Sequence, residues 1–350
     1  MSHERGNPED MSESCNFRMP GEWECHAATW LSWPRRSGLS FPDDHWDRAR
    51  PEYLALVRRI AESEPVYLNV IDDAETEEVL KEIGSEHADR VHPFVIPTDE
   101  PWCRDHGPTF VLDPTGRRIA IDWDYNAWGE KYKPYDRDRD AALAMAKAVD
   151  AEVIRPAIVL EGGALEVDGR GHLLTTASCL LHPRRNPGHT REEIESIFRG
   201  SLGVDRISWL CGEIPGDDTD SHIDTFARFA SPTVILSAVD PDELEETPGS
   251  LDGIEVIRLP DPPPVTWEGR PLPASYANFV ITNRSVLVPG YEASSDQRAA
   301  AILREHFPSR EIHILPSLEL IYGLGSFHCL TQQLPAEQTG EDEGNNDRCV

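Results

Sequence analysis

Cys329, in YGLGSFHCLTQQLP, and His222, in GEIPGDDTDSHIDTFARF, are the side chains of this 350-residue chain best suited to covalent chemistry. A thiol becomes a nucleophile once deprotonated, and an imidazole moves protons near neutral pH. Carboxylates stand in comparable settings: Asp105 in PTDEPWCRDHGP, where Trp102 and Pro108 enclose an Arg-Asp-His triplet, and Glu161 in LEGGALEVDG. Asp217, Asp218, Asp220 and Asp224 crowd around His222. His222 and Asp224 alternate with Ile223, so an extended strand would point both to one face, where the carboxylate orients the imidazole or grips a cation. A calcium loop is the second reading of this acidic run, although it lacks the glycine and distal glutamate of the EF-hand pattern. The glycines after Glu161 allow a close backbone approach or a positive φ. Near Cys329, glycines 323 and 325 and the adjacent His328 favour a loop at the mouth of a site. A free thiol, with a pKa of ~8.5, needs positive charge nearby, which protonated His222 or a cationic substrate would supply.

One recurring unit positions these residues. In 109–160, TFVLD and RRIAIDW flank the turn Pro114-Thr115-Gly116, an amphipathic helix follows at about 138–149, and the apolar run AIVL reads as a strand. The order returns in 164–210, where Thr190 caps a helix with Glu193 at N3, and again in 224–259 and 277–315. AATWLSW, the helix RARPEYLALVRRIAESE, and the strands PVYLNVI and VHPFVI supply a fifth unit with an inserted helix near 75–84. Asp105, Glu161, His222, Asn278 and Cys329 are expected just after the closing strands, at gaps of 56, 61, 56 and 51 residues. This repeat predicts radial repetition about a central axis, with the five residues meeting at one mouth. An open doubly wound α/β sheet, which gathers strand-end residues at one edge, is the alternative.

Lys and Arg total 33 against 63 Asp and Glu, a formal net charge of −30, which argues against nucleic acid as a partner. At 39% apolar the chain can fill a core, and no stretch reaches the ~20 apolar residues of a membrane helix. A soluble, cytoplasmic protein without a membrane partner is expected, with homo-oligomerisation left open. The Lys-poor acidic surface fits a salt-adapted host or the gathering of cationic substrates. Seven cysteines without CxxC pairing suggest neither a zinc cluster nor a disulfide framework. Residues 1–18 and 339–350 read as disordered tails around one domain, 19–338.

Several carboxylates around a thiol suit a planar guanidinium, whose N–H groups pair bidentately while its carbon stays open to attack. An acyl or phosphoryl substrate would instead call for positive groups or amide donors. The motifs PWCRDHGPTFV, YNAWGEKY, EGGALEVDGRG, RNPGHTREEIE, GDDTDSHID, PASYANF and HCLTQQLP together resemble the agmatine deiminase / bacterial-type peptidyl-arginine deiminase family, from about Pro20 to Pro335. The resemblance implies the pentein fold, an α/β-propeller of five ββαβ-type modules around a pseudo-fivefold axis. It also implies hydrolysis of a guanidine to a ureido group and ammonia, with no metal or organic cofactor. Carried over, Cys329 attacks the guanidinium carbon, and His222 protonates the departing ammonia and then activates water. Asp105 and Asp224 match carboxylates that hold the guanidinium, Glu161 and Asp218 match further acidic positions, and Trp128 and Asn278 match positions that shape the site; Trp102, beside Asp105, is a further substrate-binding candidate.

The chain departs from the family pattern at three glycines. Leu324 interrupts a usual run of three, Ser221 precedes the histidine where Gly is common, and Glu130 follows Gly129 where a second Gly is usual. Agmatine is the expected small cationic substrate, giving N-carbamoylputrescine and ammonia. A peptidyl-arginine deiminase, an amidinotransferase and a non-catalytic guanidine- or polyamine-binding module are the alternatives.

Overall fold

The computed structural model describes residues 16–338 apart from Ser37 and Asp43, and the chain is mixed α/β. Its first strands are β1 (His26–Ser32), β2 (Val66–Val70) and β3 (Val91–Val95), joined in parallel. Then come β4 (Thr109–Leu112), β5 (Arg118–Ile121) and β6 (Glu152–Ile154), followed by β7 (Glu166–Val167), β8 (His172–Thr176) and β9 (Arg206–Leu210). The next sheet is β10 (Ala227–Ser231), β11 (Val234–Ser237) and β12 (Glu255–Arg258). A small hairpin of β13 (Thr266–Trp267) and β14 (Arg270–Pro271) precedes β15 (Val280–Ile281), β16 (Ser285–Gly290) and β17 (Glu311–Pro316), and β18 (Thr331–Pro335) ends the series.

Four sheets share one plan: an antiparallel pair, then a helix, then a strand parallel to the second of the pair. The first sheet has the same plan by a longer route. Its antiparallel pair is β18 with β1, so the last strand completes the first module, and β3 is an addition.

Local chemistry fixes the helices. Thr190 and Glu193 form the expected capping box of the helix Arg191–Leu202, and Gly203 ends it in the left-handed region at φ 68°. Ile194, Phe198 and Leu202 recur at four-residue spacing on its buried face. Asp72 caps the inserted helix Asp73–Ile83 by accepting from the Glu75 amide.

Three readings change. The third strand of the second module is Glu152–Ile154, because Pro156 separates it from the apolar AIVL run. That run makes a single bridge, Asp124 to Val159, and buries Ile158 and Leu160 while delivering Glu161. Residues 1–15 and 339–350 of the expected tails lie outside the described residues. Arg18, also read as tail, exchanges two backbone hydrogen bonds with Leu112. Cys25 is disulfide-bonded, which its spacing did not suggest, while Cys103, Cys179 and Cys329 are buried thiols and Cys211 is exposed. No helix among the described residues is long and apolar enough to cross a membrane.

Candidate active site

A cavity of about 490 Å³ has Asp105 and Cys329 in its wall. Asn278 lies against Cys329, and His222 and Glu161 follow behind Asp105, so the five spaced residues gather beside it, by a different rule from the one expected. None directly follows a closing strand. Asp105, Glu161 and His222 lie four or five residues before β4, β7 and β10, and Asn278 and Cys329 lie two before β15 and β18. Single helical turns present four of them: Cys103–His106 carries Asp105, Phe327–Leu330 carries Cys329, and Glu161 and His222 precede the turns Gly162–Ala164 and Ile223–Thr225. His222 and Asp224 therefore do not alternate on a strand. The turn aims both inward, and both are completely buried.

Asp105 Oδ1 accepts from the Gly163 amide at 3.0 Å and Oδ2 from Trp128 Nε1 at 3.0 Å. His222 lies between two carboxylates, with Nδ1 3.7 Å from Asp105 Oδ1 and Nε2 3.7 Å from Glu161 Oε2. Among the described residues, neither ring nitrogen has a hydrogen-bond partner. Cys329 Sγ accepts from Asn278 Nδ2 at 3.1 Å and lies 3.8 Å from Asp224 Oδ2. Asn278 is held in turn, its Oδ1 accepting the amides of His328 and Cys329 at 3.1 and 3.3 Å. Asp224 Oδ2 lies 2.7 Å from His328 Nδ1, while its Oδ1 is buried without a hydrogen-bond partner among the described residues.

Gly163 makes this convergence possible. A Cβ there would stand 2.5 Å from His222 Nδ1, 2.9 Å from Asp105 Oδ1 and 3.2 Å from Asp224 Oδ2. The two glycines after Glu161 thus serve close approach, and neither has a positive φ.

Burial and clustered charge set the protonation states. Burial, with the Asp224 and Glu161 charges added against the opposing pull of His222, raises the Asp105 carboxyl to about 6. Burial alone would lower the His222 pKa, but Asp105 and the Cys179 and Glu161 groups beside it hold it well above the usual imidazole range. Burial, reinforced by Asp224 and Asp105, pushes the Cys329 thiol well up. Burial opposes ionisation of Glu161 and Asp224, yet His222 and Arg185 lower the first and His328 lowers the second. The site holds a protonated thiol and an imidazolium among carboxylates, and an incoming cation would lower the cost of a thiolate.

Toward the exposed side, Trp102 and Trp128 form cavity walls. Gly323 and Gly325 let the loop press on Trp102, where a Cβ would approach the indole to 2.9 and 2.4 Å, and its Nε1 donates to Ser40 Oγ at 2.8 Å. Asp218 lines the cavity and accepts from the Tyr132 hydroxyl, with Lys131 Nζ 3.2 Å from its Oδ1. The rest of the acidic run is engaged locally. Asp217 accepts from the Thr219 and Ser221 amides, and Asp220 pairs with Lys131 and Arg185, which accounts for the run without a calcium loop. The β13–β14 hairpin brings Trp267 against Tyr322, with ring centroids 4.9 Å apart, at the cavity edge.

Sequence reading missed the support beneath. His328 is buried, not at the mouth, and its Nε2 lies 3.0 Å from Glu22 Oε2. Arg228 joins Glu22 to Glu166. An arginine between Ala227 and Phe229 at the start of β10 was the available signal, since a buried guanidinium requires partners. Glu22 had no local signal. Arg185, which donates through Nε to Glu161 Oε1 at 2.9 Å, was visible only as part of RNPGHT.

The family model for Porphyromonas-type peptidyl-arginine deiminase matches residues 18–335. An agmatine deiminase of Pseudomonas aeruginosa (strain UCBPP-PA14) is 34% identical, over 94% of this chain and 98% of that protein. An agmatine deiminase of Ectopseudomonas mendocina (strain ymp) is 33% identical, over 92% and 96%. Among solved structures, a C. jejuni agmatine deiminase, a Cys-to-Ser variant with substrate bound, superposes with a TM-score of 0.82 at 28% identity, covering 92% of this chain and 97% of that one.

Proposed function

The chain belongs to the agmatine deiminase / bacterial-type peptidyl-arginine deiminase family, and from that membership we propose that it hydrolyses agmatine to N-carbamoylputrescine and ammonia. It is a hydrolase acting on a guanidine C–N bond. One observation carries the choice of residues: Asp105 and Cys329 stand in the wall of an aromatic-lined cavity, with His222, Glu161 and Asp224 buried directly behind them.

The guanidinium lies between Asp105 and Asp224, whose unpartnered Oδ1 is a ready acceptor for one of its N–H groups. Its charge lowers the cost of ionising Cys329, and the thiol proton leaves to solvent. Sγ attacks the guanidinium carbon, the C–N bond breaks, and His222 gives its proton to the departing nitrogen. The remaining amidino-cysteine cation is attacked by water. His222 recovers one proton, the C–S bond breaks, and the second proton goes to the departing sulfur, restoring the Cys329 thiol. Glu161 holds the imidazole from its Nε2 side. Asn278 steadies the sulfur, and Trp128 orients Asp105. Trp102 and Trp128 flank the methylene chain, and Asp218 attracts the far ammonium.

For the architecture, we propose five modules arranged around a pseudo-fivefold axis within one catalytic domain, 19–338. The common plan of five sheets, the pairing of β18 with β1 and the meeting of five residues that precede opening strands support it.

The deciding experiment incubates the protein separately with agmatine, free arginine and a blocked peptidyl-arginine, at low and molar salt, and measures ammonia and ureido product. Product from agmatine alone is expected. Product only from the peptide would move the assignment to a peptidyl-arginine deiminase, and none from any substrate would overturn the hydrolase reading.

A further inference from the structure

Behind His222 lies a buried thiol that the hydrolytic chemistry does not use. Cys179, on the turn Ala177–Leu180, is a completely buried thiol whose Sγ lies 3.8 Å from Glu161 Oε2. His222 Nε2 lies 3.7 Å from that same oxygen. The three ligand atoms all lie within 4.8 Å of one another. Despite complete burial, Nε2 has no hydrogen-bond partner among the described residues. Glu161 Oε1 is committed to Arg185 Nε at 2.9 Å, which leaves Oε2 turned to the thiol and the imidazole.

We propose that Glu161, Cys179 and His222 form a binding site for a thiophilic divalent cation, Zn²⁺ above all, and that occupancy there stops turnover. Thiolate, imidazole and carboxylate are the ligand types of zinc, with bonds of about 2.0–2.3 Å. At a tetrahedral angle those bonds place neighbouring ligand atoms roughly 3.3–3.7 Å apart. The two edges at Glu161 Oε2, 3.7 and 3.8 Å, lie within a few tenths of an ångström of that spacing, and the third is under 4.8 Å, so a small inward shift closes the triangle. The ligands come from three turns fixed by their flanking strands, so little rearrangement opposes binding. Charge also balances: Zn²⁺ offsets the thiolate and the carboxylate, so the Arg185–Asp220 pair alongside meets no new net charge. On binding, the Cys179 thiol proton and any proton on Nε2 pass to solvent as the Zn–S and Zn–N bonds form. Three protein ligands leave a fourth position for water.

The effect on turnover rests on the role proposed for His222, whereas the site itself does not. An imidazole bound to metal through Nε2 no longer takes and returns a proton as the free ring does.

The test separates the two. In Cys329→Ser protein, Zn²⁺ is titrated against a chromogenic chelator. One tight site per chain is expected, weakened at least ~100-fold when Cys179→Ser is added and retained when the other buried thiol is changed by Cys103→Ser. If Cys179→Ser does not fold, Glu161→Gln in the same background carries the same expectation. Equal zinc affinity with and without these groups, or no tight site in Cys329→Ser protein, overturns the proposal. In the otherwise native chain, Cys179→Ser should leave hydrolysis about 10-fold or more less sensitive to zinc. A site that binds zinc as expected while hydrolysis by the native chain persists at saturation overturns the inhibitory role. Absence of hydrolysis from the native chain without zinc would instead overturn the hydrolase reading and leave the binding result standing.

Discussion

His328 Nδ1 lies 2.7 Å from Asp224 Oδ2, and the other nitrogen of the same ring lies 3.0 Å from Glu22 Oε2. Ionised carboxylates only accept, so a ring nitrogen that carries hydrogen here donates to the carboxylate it faces. The residue next to Cys329 therefore anchors the carboxylate proposed to grip the substrate, and it is anchored by a glutamate some 300 positions away in sequence. Asp224 Oδ1 is left pointing free by this arrangement.

Removing the anchor should loosen substrate binding more than it slows chemistry. His328→Ala is expected to raise KM for agmatine about 10-fold, the equivalent of losing one charge-assisted hydrogen bond of ~1.5 kcal/mol, with a smaller change in kcat. Steady-state kinetics check the split. A fall in kcat at constant KM would place His328 in the chemical step instead.

Cys329→Ser should abolish ammonia release while agmatine still binds, because the carboxylates that hold the guanidinium are untouched. Calorimetry on the variant and ammonia assays on both proteins test this. Activity within tenfold of the unaltered chain would exclude a covalent intermediate on this sulfur.

The pH profile follows from Asp105. Its carboxyl is raised to about 6, so below that pH it is protonated and lacks the charge that holds a guanidinium. kcat/KM should rise with pH through about 6, and it should fall again only well above neutrality, where His222 loses its proton. Stability runs the opposite way. A carboxyl raised in the folded state contributes most below its unfolded value, and that contribution is lost as pH rises through about 6. Asp105→Asn should remove the acidic limb and lower kcat/KM throughout. An unchanged acidic limb would assign it to another group.

Much of the site was legible because the chemistry repeats. Asp105, Glu161, His222, Asn278 and Cys329 recur at near-constant spacing since each precedes the opening strand of a module, and hydrophobic periodicity reveals those strands. The local backbone at His222 was not legible, because alternation over three residues fits an extended strand and a single turn alike. Pro156 likewise hid the short strand Glu152–Ile154 behind the longer apolar run that follows. Glu22, Arg228 and Glu166 depend on pairings across more than 60 positions, for which local pattern holds no information.

The three departures from the family glycines share one backbone feature. Leu324 has φ 72°, Ser221 φ 68° and Glu130 φ 60°, so each L-residue occupies the left-handed region that glycine enters freely. Such a residue costs about 1–2 kcal/mol relative to its ordinary conformation. Ser221 is the cleanest case, because its backbone amide donates to Asp217 Oδ2, its carbonyl accepts from Thr176, and neither contact uses its side chain. Ser221→Gly keeps both bonds and relieves the strain, while the greater freedom of glycine in the unfolded chain offsets part of the gain. The net expectation is a stabilisation of about 1 kcal/mol, read as a shift in the denaturant midpoint at constant slope. Activity should stay within about twofold, because the turn that carries His222 keeps its geometry. Destabilisation would mean that the serine side chain, not the backbone, governs this turn.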